Sequence, residues 1–195
     1  LQLTTYNLQL IYNKENRGFA AANNQAIPQA KGDYILLLNP DTEFRASRRG
    51  DTGGGDLGAR NASEHGEVRE ASGPRVVGHR QDLEPLRTML HFMKLHPRCG
   101  ILGPRLMNSD GTLQPSVRRF PRAFDPLLFS LGMARQYLAR DFDYTKAQQV
   151  DQVMGAAFLI RRSMLDVIGM FDERFFIWFE EVDYCHRAHK AGIKI

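Results

Sequence analysis

Cysteine is scarce in this sequence: Cys99 and Cys185 stand far apart and outside any pairing or metal-ligand motif. That argues against a disulfide framework and for a reducing compartment such as the cytosol. No apolar run approaches the roughly 18 residues that a membrane-spanning helix needs. The first residues also lack the charged-then-apolar layout of a secretion signal. No internal repeat is present, which excludes a solenoid. The excess of positive charge is small, +4 in 195 residues, and its arginines are spread along the chain. A pI of about 9.2 therefore raises the case for an anionic ligand only slightly. A nucleic-acid-binding surface would need clustered cations interleaved with aromatics, and the Arg-rich stretch here has no aromatic residue.

That stretch, 45–82, also has few large aliphatics and holds eight of the chain's 17 glycines. It cannot bury enough surface to offset its ordering entropy and reads as a disordered insertion. The hydrophobic fraction of the whole chain, 43%, is ordinary for a globular domain. The expected organisation is a single domain in two parts, 1–44 and 83–195, with the insertion between them.

Leu8 to Tyr12 has the composition of a short strand. Asn16-Arg17-Gly18-Phe19 then opens an alanine-rich helix from about Ala20, with Pro28 marking its last turn. Gly32-Asp33 turns the chain into Tyr34-Ile35-Leu36-Leu37-Leu38, a continuously apolar run expected of a central parallel strand covered on both faces. It stops at Asn39-Pro40-Asp41-Thr42, a polar loop at the strand's carboxyl end, where ligands bind in doubly wound α/β sheets. Past the insertion, Leu83, Leu86, Leu90 and Met93 predict a helix, and 100–103 a short strand. A hairpin is expected over 105–114, turning at Asn108–Gly111, and a helix over 124–138. Two extended pieces follow at 150–153 and 156–160. Ser163 to Ile168 reads as a short helix with Ser163 as N-cap, Asp166 at the capping-box position and Gly169 as terminator. The last helix covers about Glu181 to Ala191, and Ile193–Ile195 reads as a strand.

Two constellations carry chemistry. Asp41, in the loop after the buried strand, offers a hard oxygen ligand for Mg²⁺ or Mn²⁺ and leaves coordination sites for a diphosphate. The same residues also form ordinary turns. In Phe175-Phe176-Ile177-Trp178-Phe179-Glu180-Glu181-Val182-Asp183, five bulky apolar residues run into carboxylates at a helix start. The apolar wall raises a carboxyl toward general-base range while the helix dipole favours the anion; Trp178 and Phe179 offer faces for a sugar ring. A buried aromatic run feeding an acid-rich first turn is the structural alternative. Asn16, Arg17, Gly18 and Asn24 at the first helix form a weaker phosphate-binding signal. Around Gly155 small residues permit close approach of a ligand or of another strand. His186 and His189 are too few for a zinc site. Arg118-Arg119 and Arg161-Arg162 could meet phosphates, but exposed arginine pairs are usually solvated surface.

Together these pieces resemble glycosyltransferase family 2, of the GT-A fold, especially its rhamnosyltransferase-like branch. The matching text is Glu-Asn-Arg-Gly-Phe-Ala-Ala-Ala-Asn-Asn at 15–24, Tyr-Ile-Leu-Leu-Leu-Asn-Pro-Asp-Thr at 34–42, Gly-Ile-Leu-Gly-Pro-Arg-Leu at 100–106, Gly-Ala-Ala-Phe-Leu-Ile-Arg-Arg at 155–162, and the run 169–185. The resemblance implies an α/β fold with a mostly parallel, Rossmann-like sheet flanked by helices. It implies inverting, metal-dependent transfer of a sugar from a nucleotide-sugar, with dTDP-rhamnose first and UDP-sugars next, to a glycan or lipid-linked acceptor. Such an acceptor would bring a cytoplasmic enzyme to the inner membrane face. Asp41 matches the last acid of the family's metal motif. Glu180-Glu181 match its acidic pair, with Glu181 as base and Asp183 as the next candidate. Asn16, Arg17, Gly18, Asn24, Asn39 and Gly155 match the donor side, and Trp178 and Phe179 the acceptor side. The family's opening strand and nucleotide-binding turn are missing, so the chain reads as cut at both ends. An inactive fragment and a nucleotidyltransferase of similar architecture stand as alternatives, although the latter would want a glycine-rich phosphate loop near the N-terminus.

Overall fold

A computed structural model describes residues 8–44, 83–121, 139 and 141–195. The expected insertion at 45–82 and the helix expected over 124–138 lie outside the described residues. The first helix, α1 (Gly18–Ala26), starts where Gly18 takes a φ of +79° and donates its N–H to Asn16 Oδ1 at 3.0 Å. Its buried face is small, chiefly Ala20 and Ala21, so the backbone lies close to the core. Pro28 tightens the end into a 3-10 turn, Ile27–Gln29.

Strand β1 (Tyr34–Leu38) pairs with β7 (Ala157–Arg161), which pairs on its other side with β2 (Ile101–Leu102). Both pairings are antiparallel, with Leu36 opposite Leu159 and Ile101 opposite Ile160. The parallel neighbours expected for β1 are not found among the described residues, where the named strands pair antiparallel. A continuously apolar run reports that both faces are covered and carries no information about its neighbour's direction. Both faces are indeed covered. Ile35 and Leu37 join Phe158 and Ile160 in the main core. Tyr34 and Leu36 pack instead with Leu159 and with Met89 and Met93 of α2 (Glu84–Leu95).

The hairpin forms as expected, β3 (Leu106–Met107) against β4 (Leu113–Gln114), with Gly111 at a φ of +84°. Next, β5 (Val117–Arg118) pairs with β6 (Gln152–Val153). Three local expectations are revised. Leu8–Tyr12 is not a strand, and its Leu8, Leu10, Ile11 and Tyr12 are exposed. Ser163 does not cap a helix: Arg162 N–H bonds Asp33 O at 2.9 Å and a 3-10 turn begins at once, Arg162–Met164, leaving Ser163 inside it. The helix proper is only α3 (Leu165–Ile168), ended by Gly169 at a φ of +72°. Ile193–Ile195 contributes a single parallel bridge, Lys194 to Cys99, in place of a strand. The last helix is α4 (Glu180–Lys190). Cys99 and Cys185 are buried free thiols, and burial pushes Cys185 up to about 12. Among the described residues no helix is long and apolar enough to cross a membrane.

Arg161, read from sequence as surface, ties three elements together. Its guanidinium donates to Met93 O (2.6 Å) and His96 O (3.2 Å) at the end of α2, to Cys99 O (3.1 Å) and to Tyr34 Oη (3.2 Å). It thereby gives a donor to Met93 O, one of the carbonyls that the helix end leaves free, and adds a second to His96 O, which already accepts Cys99 N–H. Arg161→Ala is expected to destabilise the fold by about 1–3 kcal/mol, because part-buried acceptors lose their donors. Arg161→Lys should recover only part of this, lacking the planar fork. Urea unfolding of the three proteins checks the order.

Candidate functional site

At the carboxyl end of β1 the chain turns through Asn39–Thr42, with Thr42 N–H bonded to Asn39 O at 3.0 Å. Asn39 N–H donates to Ala156 O at 2.9 Å, so the turn is held beside the small-residue segment that enters β7. Asp41 is exposed on this turn. Gly155 is half-buried, and among the described residues a Cβ there would meet only the edge of Phe19.

The aromatic run forms a loop that delivers its acids to the start of α4. Phe171 is buried, stacked on Tyr184 with ring centroids 4.5 Å apart. Trp178 and Phe179 are both left-handed, at φ +67° and +70°, and Phe179 is the N-cap of α4. Two successive non-glycine residues in this region cost about 1–3 kcal/mol each, so surrounding contacts must hold them there. The result is unusual exposure: Trp178 keeps 73% of its surface open to solvent.

The three acids behind them have different surroundings. Glu180 is 5% exposed, and its Oε2 has no hydrogen-bond partner among the described residues; burial raises its carboxyl above the ordinary range. Glu181 is half-buried. Burial also raises its carboxyl, and the neighbouring Glu180 charge adds to the rise, against a smaller lowering by backbone N–H groups. Asp183 is engaged elsewhere, in an ion pair with Arg187 at 2.8 Å. Arg187 also donates to the carbonyls of Ile168 and Met170, fastening the base of the loop to α4.

A cavity of about 270 Å³ opens between β6 and this loop, lined by Trp178, Phe179, Glu181, Arg118, Gln152 and Met154 among others. Of the candidate residues, it brings Trp178, Phe179 and Glu181 together. Asp41 does not line it, but Met154 lies two residues before Ala156, to which the Asp41 turn is bonded. Arg118 was set aside as surface. The β5–β6 register, with Arg118 opposite Gln152, turns it toward the cavity, and that pairing has no local signal in the sequence. The imidazoles of His186 and His189 pack edge-on against Phe120.

Residues 2–48 match the family profile described as glycosyl transferase family 2. Over 205 residues the chain is 32% identical to an N-acetylglucosaminyl-diphospho-decaprenol L-rhamnosyltransferase from Mycobacterium tuberculosis, an alignment covering 95% of this chain and 54% of that protein. The chain belongs to glycosyl transferase family 2. Another relative of this family 2 chain is a low-salt glycan biosynthesis hexosyltransferase from Haloferax volcanii, 25% identical over 92% of the chain and 46% of the relative. A third is a rhamnosyltransferase from Escherichia coli, 31% identical over 41% of the chain and 30% of its own length. The chain thus spans about half the length of the Mycobacterium and Haloferax relatives. No solved structure matches it at a significant level.

Four of the donor-side candidates, Asn16, Arg17, Gly18 and Asn24, lie at or just before α1. Asn16 is spent on the Gly18 turn, and Arg17 is the N-cap position. Phe19 N–H bonds Phe176 O at 2.9 Å, so the start of α1 touches the aromatic loop directly. Asn24 is buried, and its carboxamide is committed to Phe171 and Glu173. For a divalent cation, the described residues contain no cluster of three or more His, Cys, Asp or Glu side chains that could hold one. Asp41 offers one exposed carboxylate, so a Mg²⁺-like ion there would have to take its remaining ligands from a diphosphate and water.

Proposed function

We propose that this chain forms the transfer site of an inverting glycosyltransferase, which moves a sugar from a nucleoside diphosphate donor to an acceptor hydroxyl. The observation that carries the reading is Glu181, a half-buried carboxylate with raised proton affinity in a cavity walled by Trp178 and Phe179. In this reading the Glu181 carboxylate takes the proton of the acceptor hydroxyl as that oxygen bonds to the anomeric carbon. The bond from that carbon to the diphosphate breaks on the opposite face, and its electron pair leaves with the nucleoside diphosphate. Trp178 and Phe179 lay aromatic faces against the acceptor sugar. Asp41 would hold a divalent cation, Mg²⁺ or Mn²⁺, whose charge stabilises the departing diphosphate. The name of the mycobacterial relative, an L-rhamnosyltransferase acting on N-acetylglucosaminyl-diphospho-decaprenol, supports a rhamnosyl donor, with dTDP-rhamnose first among those tested, and a lipid-linked sugar as acceptor. Such an acceptor would draw the protein to a membrane face.

Release of nucleoside diphosphate from dTDP-rhamnose and UDP-sugars, with and without a polyprenyl-diphosphate-linked sugar, tests the proposal. Acceptor-dependent release is expected. Its absence, with no heat of nucleotide-sugar binding in Mn²⁺ by titration calorimetry, would identify an inactive relative instead. In the active protein, Asp41→Asn should raise the Mn²⁺ concentration for half-maximal turnover about tenfold or more, since it removes the protein's charged ligand. An unchanged Mn²⁺ dependence would remove Asp41 from that role.

A further inference from the structure

The residues of α1 that match the family's donor side make contacts pointing the other way. Asn24 lies under the aromatic loop, 8% exposed, and meets the backbone of Phe171 with both ends of its carboxamide. Its Nδ2 donates to Phe171 O at 2.8 Å and to Glu173 Oε1 at 3.1 Å, and its Oδ1 accepts from Phe171 N–H at 3.1 Å. One turn earlier, Phe19 N–H holds Phe176 O, and the Phe19 ring meets Phe171 edge-on at 6.2 Å. The loop is thus gripped at its first residue by a side chain and at Phe176 by the helix backbone. Beyond Phe176 come Trp178, Phe179 and Glu181, the residues that line the cavity.

We propose that Asn24 is a positioning residue that locks the aromatic loop onto α1 and thereby sets Trp178 and Glu181 for the reaction, without itself contacting the donor. The proposal rests on the sugar-transfer reading for its catalytic consequence but not for the latch. Both amide N–H donations and one lone pair of Oδ1 are taken up by the loop, which leaves a ligand one lone pair on a side chain buried under that loop. The bidentate grip on one residue's N–H and C=O also fixes direction, as a pair of β-ladder bonds would.

Trp178 is the chain's one tryptophan, so its fluorescence reports the loop independently of turnover. Asn24→Ala should lower the limiting anisotropy of Trp178. It should also cut kcat about tenfold or more while moving the donor KM less than about threefold, the pattern of a group acting on geometry. Asn24→Asp keeps the acceptor for Phe171 N–H but sets a carboxylate against Glu173. Adding Glu173→Gln removes that repulsion and supplies a donor, so the double variant should regain part of both readouts. This comparison also holds if Asn24→Ala fails to fold. A donor KM raised about tenfold with kcat and anisotropy unchanged would make Asn24 a donor ligand and overturn the proposal. If the wild type releases no nucleoside diphosphate, the transfer reading fails while the anisotropy comparison still judges the latch; unchanged anisotropy then sinks it.

Discussion

Replacing Glu181 by Gln should lower sugar transfer by about 10³-fold and leave the protein folded, because it removes a base and keeps the shape. The pH profile separates this from a packing effect. Glu181 must be ionised to accept a proton, and burial holds its carboxyl above the ordinary glutamate range. Wild-type turnover should therefore fall on acidification at a pH higher than a solvent-exposed glutamate would dictate. In Glu181→Gln the residual activity should show no such limb. Stability should move oppositely. A carboxyl whose affinity for its proton rises on folding stabilises the fold fully below the unfolded-state pKa and loses that contribution as pH climbs through the folded value. At neutral pH the wild type bears the cost of a half-buried anion, so the glutamine variant should melt higher, and the gap should close in acid. Full turnover in Glu181→Gln, or an acid limb that persists in it, would move the base elsewhere. Glu180, deeper and with no partner for Oε2 among the described residues, would be the first place to look.

The elements that sequence made legible are those whose signal is local. The α2 helix, the 105–114 hairpin and the glycine stop after α4 follow from spacing and turn chemistry within a few residues. The acids and aromatics of the site were also visible, because Trp178, Phe179 and Glu181 are neighbours in the chain. What escaped depends on distant partners. The direction of β1 is decided by β7, and Arg118 enters the cavity through its pairing with a strand far along the chain. Asn24 meets Phe171 across 147 positions, so an Asn-Asn pair on a helix gave no reason to choose a latch over a ligand. Leu8–Tyr12 shows the converse: strand composition without a partner strand among the described residues leaves its side chains exposed.

The same dependence on a distant partner makes Gly18 the most sensitive backbone position of the site. Gly18→Ala should cost about 2–4 kcal/mol and abolish most transfer, through two separable effects. Alanine is strained at a φ of +79°, which by itself is worth about 1 kcal/mol. A Cβ there would also run into the Phe176 carbonyl oxygen and ring, and that oxygen is the one Phe19 N–H already holds. Backbone cannot rotate away as a side chain can, so either α1 tilts or the loop lifts, and a lifted loop carries Trp178 and Glu181 with it. Gly111→Ala isolates the first effect. Its φ is +84°, yet a Cβ would meet nothing within 4 Å. Gly111→Ala should therefore show the conformational cost alone, with transfer intact, and the difference between the two melting shifts measures the collision. Equal shifts, with transfer preserved in both, would mean that α1 and the aromatic loop move independently and that the cavity's geometry is set without the helix.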